Sequence, residues 1–204
     1  VEAVLAIPPT SIRLLLTRFN WDKDRLIENF FDYDSEVLFR ESNIISPSQR
    51  PHVLYKLVER KDSSNKYASS SSNALSPEMS AYCAPLTPAL PVPMQENTCE
   101  ICMMTYLPEE MTGLGCGHFF CLDCWTQYLR IKIMDENEGE KIRCPAAKCD
   151  ILVDDAIVYA LLKDPGIRNR FHKLICNSFV ICNRLLTWCP GVECNYAVKV
   201  QRYE

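Results

Sequence analysis

Apolar residues return at helical spacing near the start of the chain. Ile12, Leu15, Leu16 and Phe19 fall at i, i+3, i+4 and i+7, and Leu26, Ile27, Phe30 and Phe31 make a second stripe. Two amphipathic helices are predicted. Thr10 or Ser11, just after Pro8-Pro9, would cap the first, and Asp22, after Trp21, the second. Val37, Leu38 and Phe39 suggest a short third helix, so residues 1–46 read as a three-helix unit. Further on, a helix begins at Asp154 or Asp155 and runs through Ala156 to Leu162 until Asp164-Pro165-Gly166 breaks it. Ile167, Phe171, Leu174, Phe179 and Cys182 then mark a longer amphipathic helix, and Tyr196 to Val200 reads as a strand.

Between these patterned regions the periodicity disappears. Residues 47–98 carry the serine run Ser69 to Ser72 and Pro77, Pro85, Pro88, Pro91 and Pro93, a composition that leaves backbone solvated and builds no core. We read a linker there, with a local helical extension over His52 to Lys61. Its serines could accept phosphate, although a plain spacer is the favoured reading.

Composition narrows the function classes. With 48% apolar residues the chain is not wholly disordered. No apolar run approaches the roughly 18 residues that span a bilayer, and no secretion signal opens the sequence, so neither membrane insertion nor secretion is expected. A net charge of -4 has the wrong sign for a protein that works by neutralising phosphates, which argues against nucleic acid as a partner. Twelve cysteines in a reducing compartment would more readily hold metal than pair as disulfides.

Their spacing is the strongest chemical signal in the chain. Cys99-x2-Cys102-x13-Cys116-x-His118-x2-Cys121-x2-Cys124-x19-Cys144-x4-Cys149 offers eight soft or borderline donors in four close pairs. Zinc takes four sulfur or nitrogen donors in a tetrahedron, so eight donors make two sites with no position left for water. The metal is then structural, and for residues 99–149, which bury little by themselves, it supplies the stability. Gly115 and Gly117 around Cys116 read as turn positions that let the backbone wrap an ion beside His118. His52 and His172 read as solvated surface residues, and Cys182 as a small buried hydrophobe. Cys83 and Cys176 have no paired partner. Cys189 and Cys194 repeat the four-residue gap but give only two ligands, half of a third site.

The order of donors resembles a RING domain, whose ligand pairs interleave in a cross-brace. The resemblance implies one zinc on Cys99, Cys102, Cys121 and Cys124, and a second on Cys116, His118, Cys144 and Cys149. Spacing alone leaves open the sequential alternative, with residues 99, 102, 116 and 118 on one ion.

Larger strings extend the likeness. Phe19-Asn20-Trp21-Asp22-Lys23, the RING-type cluster, Cys149-Asp150-Ile151-Leu152-Val153-Asp154-Asp155, Asn177-Ser178-Phe179-Val180, Cys182-Asn183-Arg184-Leu185-Leu186 and Trp188-Cys189-Pro190 together resemble the Ariadne subfamily of RING-between-RING ubiquitin ligases. The resemblance implies an α+β chain of small zinc-stabilised modules: a UBA-like helical domain at 1–46, the linker at 47–98, a first RING at 99–149, helical connections at 150–186 and the start of an in-between-RING domain at 187–204. It also implies that the RING recruits a ubiquitin-charged conjugating enzyme for transfer to a cysteine in a second RING-like domain, and from there to protein substrates. Ile101 and Pro145, with Ala146 and Ala147, match the family's contact loops. Trp125 either borders that groove or packs behind Cys124.

Two departures bear on mechanism. Single-RING ligases commonly place Arg or Lys just after the last ligand to promote direct transfer, whereas Asp150 stands here and cannot donate those hydrogen bonds. Phe19-Asn20-Trp21 replaces the Met-Gly-Phe or Met-Gly-Tyr loop of ubiquitin-binding UBA domains, which argues against ubiquitin as this domain's ligand. Ariadne relatives use the domain on neddylated cullin complexes, and the resemblance implies the same partner here. No residue of this sequence reads as the catalytic nucleophile. The start at Val1 and the stop at Glu204 inside a strand suggest a fragment or an incomplete gene product, and a non-catalytic adaptor that occupies the conjugating enzyme or a cullin complex is the alternative. Localisation is expected to be cytoplasmic, and also nuclear.

Overall fold

A computed structural model of the chain describes residues 1–49, 97–192 and 194–200. The expected helix at His52 to Lys61, the linker serines, His52 and Cys83 lie outside the described residues.

Among the described residues the first unit contains four helices. The short α1 (Glu2–Leu5) ends at Ala6, whose φ of 53° is left-handed, and the following helices are α2 (Pro9–Arg18), α3 (Lys23–Asp32) and α4 (Ser35–Glu41). Asp22 caps α3 as expected, accepting from the backbone N–H groups of Asp24 and Arg25, and Asp34 caps α4 through Glu36. The cap of α2 differs from the sequence reading. Pro9 already occupies the first helical turn, where its missing N–H costs nothing, so Thr10 and Ser11 lie inside the helix and Pro8 precedes it without a side-chain cap. Leu5, Leu14, Leu15, Leu26, Leu38, Phe39 and Ile44 form the core. Leu14 lies off the predicted stripe, whereas Phe31, at the far end of its own stripe, is 65% exposed.

The cysteine-rich region contains little regular structure. Antiparallel hairpins pair β1 (Asn97–Thr98) with β2 (Thr105–Tyr106), and β3 (Met111–Gly113) with β4 (Phe119–Cys121). Helix α5 (Leu122–Arg130) continues into a wider π-type turn at Ile131–Asp135. Trp125, Leu129 and Ile133 recur every four residues and are fully buried. Trp125 also donates from Nε1 to the Thr112 carbonyl at 2.9 Å and meets Phe120 edge to face.

This core does not stop at Cys149. Val153, Ile157, Val158, Leu161, Leu162 and Phe171 continue it, so α6 (Asp155–Leu161) and the first half of α7 (Pro165–Cys182) pack against the zinc-type module. Asp154 caps α6 and Asp164 caps α7. Along α7 the buried residues are Phe171, Ser178 and Val180. Cys182 is exposed, not the buried hydrophobe expected of its stripe; in the last turn of the helix it is Val180 that is buried. His172 is exposed as expected. The chain then forms a third hairpin from β5 (Leu186–Trp188) and β6 (Ala197–Lys199), tied to α7 by Trp188 Nε1 to Asn177 Oδ1 and by Lys173 Nζ to Asn195 Oδ1.

The helical unit docks along the cysteine-rich module and α7. Arg13 forks onto the Asp155 carboxylate and donates a further hydrogen bond to the Glu140 carbonyl. Leu152 N–H donates to the Asn43 carbonyl at 2.8 Å. Further along, Trp21 Nε1 donates to the buried Ser178 Oγ at 3.0 Å, and its ring meets Phe179 edge to face with centroids 5.3 Å apart.

Candidate metal centres

Each ligand pair is set by a short turn. Between Cys99 and Cys102 the chain folds back so that Met103 N–H reaches the Cys99 carbonyl and Cys99 N–H reaches the Met104 carbonyl, with Met103 in the left-handed region at φ 61°. Cys121 sits where β4 becomes α5, and its sulfur accepts from the Cys124 N–H. The Cys144–Cys149 turn closes through Cys149 N–H to the Ala146 carbonyl, with Lys148 at φ 63°.

The two glycines beside Cys116 serve different ends. Gly117 has φ +82°, a conformation that favours glycine. Gly115 instead lies under the helical unit: a Cβ there would come within 2.8 Å of the Ile45 side chain. The first is a turn position, as the sequence suggests, and the second is a close approach between domains.

Those turns gather the donors into two groups, Cys99 with Cys102, Cys121 and Cys124, and Cys116 with His118, Cys144 and Cys149. Within each group every ligand atom lies within 4.8 Å of the others. The pairs therefore interleave, and the sequential grouping is not the one that forms. Cys102 and Cys121 sulfurs are 3.9 Å apart, and Cys116 and Cys144 sulfurs 3.7 Å. Donors at zinc–sulfur distance on a regular tetrahedron stand about 3.8 Å apart, so the clusters have the right size for the ion. His118 turns Nδ1 inward, 3.3 Å from the Cys116 sulfur.

Electrostatics makes the same demand. Burial raises the Cys99 thiol, but the N–H groups of Cys102, Cys121 and Ile101 outweigh it and draw the group down to about 6. In the same cluster, burial and then the neighbouring Cys121, Cys102 and Cys99 push the Cys124 thiol far up. Burial, aided by Cys116 and Cys149, pushes Cys144 up to about 12. Four sulfurs this close cannot all carry charge unless a cation sits among them. The Tyr106 hydroxyl, 3.6 Å from the Cys102 sulfur, lowers that thiol from the rim of the first cluster.

The remaining predicted site residues fall in different places. Cys189 and Cys194 face each other across a turn in which Cys194 N–H donates to the Gly191 carbonyl, and the Gly191 N–H and Cys194 thiol hold Cys189 below its ordinary range. Among the described residues no third donor joins them. Ile101 is 47% exposed on the first ligand loop, and Pro145 is half-buried in the last. Trp125 is fully buried, so of its two sequence readings the packing one forms, and the groove contact is corrected: an indole held in the core offers no surface to a partner.

Interleaved groups of four donors closing short hairpins define a RING-type zinc-binding module. A sequence model described as RING-type zinc-finger matches residues 99–145, and one described as the UBA-like domain of E3 ubiquitin-protein ligase ARIH1 matches residues 1–32. E3 ubiquitin-protein ligase ARIH1 of Homo sapiens is 41% identical over 201 residues, covering 98% of this chain and 30% of the relative. Ariadne-1 of Drosophila melanogaster is 37% identical over 97% of this chain and 33% of its own length, and ari-1.1 of Caenorhabditis elegans 30% identical over 100% and 33%. The Ariadne resemblance is thereby borne out: the chain carries a portion of an Ariadne-type RING-between-RING protein and spans about 30% of the length of the first of these relatives.

Proposed function

We propose that this chain is the recruiting portion of an Ariadne-type ubiquitin transferase, holding one zinc ion in each four-donor cluster and presenting its RING to a ubiquitin-charged conjugating enzyme. Zinc supplies the crosslinks that close the chain, and the protein supplies the surface. The observation that carries the reading is the first ligand loop. Ile101, Met103 and Met104 are 47%, 75% and 60% exposed on a turn closed by hydrogen bonds from Cys99 N–H to the Met104 carbonyl and from Met103 N–H to the Cys99 carbonyl. An apolar contact on a preformed loop binds without a large ordering cost. Pro145 and Ala146, between Cys144 and Cys149, form the second contact.

Direct transfer from the RING to lysine is not expected. Asp150 follows the last ligand, and its carboxylate, which accepts from Arg143 Nη1 at 2.9 Å in an exposed pair, has no hydrogen bond of its own to donate. Ubiquitin passes instead to a cysteine outside this chain, and then to protein substrates. No residue here is assigned as the nucleophile. The Cys189–Cys194 pair is the first half of a third zinc site. The UBA-like unit engages a neddylated cullin complex, as the Ariadne resemblance implies, and the protein works in the cytoplasm and nucleus.

Titrating zinc-loaded chain into ubiquitin-charged conjugating enzymes while following the thioester in free lysine tests the reading. Binding that Ile101→Ala abolishes, with the thioester preserved, supports it. Binding indifferent to Ile101 removes the docking assignment, and rapid lysine discharge removes the two-step mechanism.

A further inference from the structure

The helical unit is acidic. Residues 1–46 carry eight Asp and Glu against five Lys and Arg. Yet the cleft of about 440 Å³ between the end of α2, α3 and α4 has the opposite balance, with Arg18 and Arg25 against one carboxylate, Glu41. Phe19, Val37 and Leu38 supply its apolar lining and Asn29 and Tyr33 its polar one. The volume lies in the range of small-ligand pockets, room for one or two side chains of a partner.

The two cations are differently placed. Arg18 Nη2 lies 3.4 Å from Glu41 Oε2, a long contact between side chains 37% and 59% exposed, and Nη1 reaches Ser42 Oγ at 3.2 Å. Exposed pairs of this kind contribute little and exchange readily. The Arg25 guanidinium is exposed and has no side-chain partner among the described residues, although its backbone N–H is held by Asp22. The third arginine of these helices that faces a neighbour, Arg13, is already consumed by Asp155.

We infer that this cleft binds an acidic peptide, with carboxylates on Arg25 and Arg18 and an apolar side chain against Phe19, Val37 and Leu38. Guanidinium groups engage carboxylates in two parallel hydrogen bonds, a geometry that a planar anion fits. Glu41 marks where one such carboxylate sits, and an incoming acid displaces it. The acidic surroundings select against polyanions: a nucleic acid spreads its charge far beyond the cleft and meets repulsion from the rest of the unit. A short acidic segment concentrates its charge at the two arginines. The cleft shares no residue with the conjugating-enzyme surface, so peptide binding here stands whether or not that surface works as proposed.

The test uses the zinc-loaded full chain on an array of 12-residue Gly/Ser peptides that carry two neighbouring Asp or Glu and one Leu stepped through the other positions, beside the same array with Lys in place of the acids and an oligo-dT competitor. The expected result is retention by acidic peptides that depends on the Leu position. Arg25→Glu should weaken it about tenfold or more and Glu41→Gln should strengthen it several-fold, by freeing Arg18. Ile101→Ala should leave it unchanged. Thermal unfolding of both cleft variants checks that the helices remain folded; if Arg25→Glu unfolds, Arg25→Gln takes its place. No preference for the acidic array, equal binding by the Arg25 variant, weakening by Glu41→Gln, or displacement by oligo-dT below the peptide's own concentration would each overturn the assignment.

Discussion

The helical unit and the RING-type module are of similar length but are held together by different means. In the first, seven buried apolar residues and two aspartate caps organise α2, α3 and α4 around a continuous core. In the second, the strands are two or three residues long and the α-helix, α5, has nine residues, so backbone pairing alone could not specify the fold. Eight side-chain donors do that instead, and the apolar core spreads outward from them into α6 and α7. One unit draws its stability from surface removed from water, the other from donors gathered to hold metal and from the neighbouring helices packed against them.

Taking the metal away should separate the two units most clearly. A structural zinc site contributes on the order of 10–16 kcal/mol of apparent binding free energy, comparable to a whole domain's stability. Chelation should expose residues 99–149 to proteolysis well before residues 9–41, with zinc release read by a colorimetric indicator. Equal rates of cleavage would show that the two units unfold as one. Acidity should push the same way. At neutral pH Cys99, drawn down to about 6, is already a thiolate, whereas Cys144, pushed up to about 12, keeps its proton until the ion displaces it. Metal entry therefore releases protons, and the zinc dissociation constant should fall as pH rises between 6 and 8; a pH-independent value would contradict the protonated Cys144 thiol.

Within the helical unit the largest effect belongs to the core. Leu15 is fully buried, and Leu15→Ala should cost about 2–5 kcal/mol in denaturant unfolding. At the junction, Arg13→Met strands the Asp155 carboxylate, whose pKa burial already raises against the pull of Arg13. A loss of about 3 kcal/mol is expected, most of it recovered by adding Asp155→Leu, since an apolar pair replaces a buried ion pair at little cost. Non-recovery would mean that the ion pair itself stabilises the junction. The smallest effect is at the α3 cap, where Asp22→Ala should cost about 1 kcal/mol and leave zinc content unaltered.

Several of these features are legible in the order of residues alone. Asp22 precedes an apolar stripe, and its cap follows local rules; Asp164-Pro165-Gly166 reads only as a break, although Asp164 also caps the helix that starts at Pro165. The eight donors are legible because metal chemistry restricts both residue type and spacing. Thr10 and Ser11 mislead because two good capping residues follow a proline that itself begins the helix. Cys182 misleads because periodicity describes a face without saying which of its residues the core covers. The Arg13–Asp155 and Trp21–Ser178 contacts are invisible: partners 142 and 157 residues apart follow no period, and Arg13 carries a side chain that could equally face water.

By itself, the sequence determined α2, α3, α4, α6 and α7, the donor set and the likeness to the Ariadne subfamily, since helix caps, apolar stripes and ligand spacing act over a few residues. Which four donors share an ion was decided by the β3–β4 hairpin and α5, which carry Cys121 and Cys124 back to Cys99 and leave Cys116 and His118 to meet Cys144 and Cys149. Tertiary structure also decided that Trp125 is core, that Gly115 lies under Ile45, and that α7 is held at Trp21 as well as at the RING. Each is a contact between distant segments, and its free energy arises only once both have been brought to the same place.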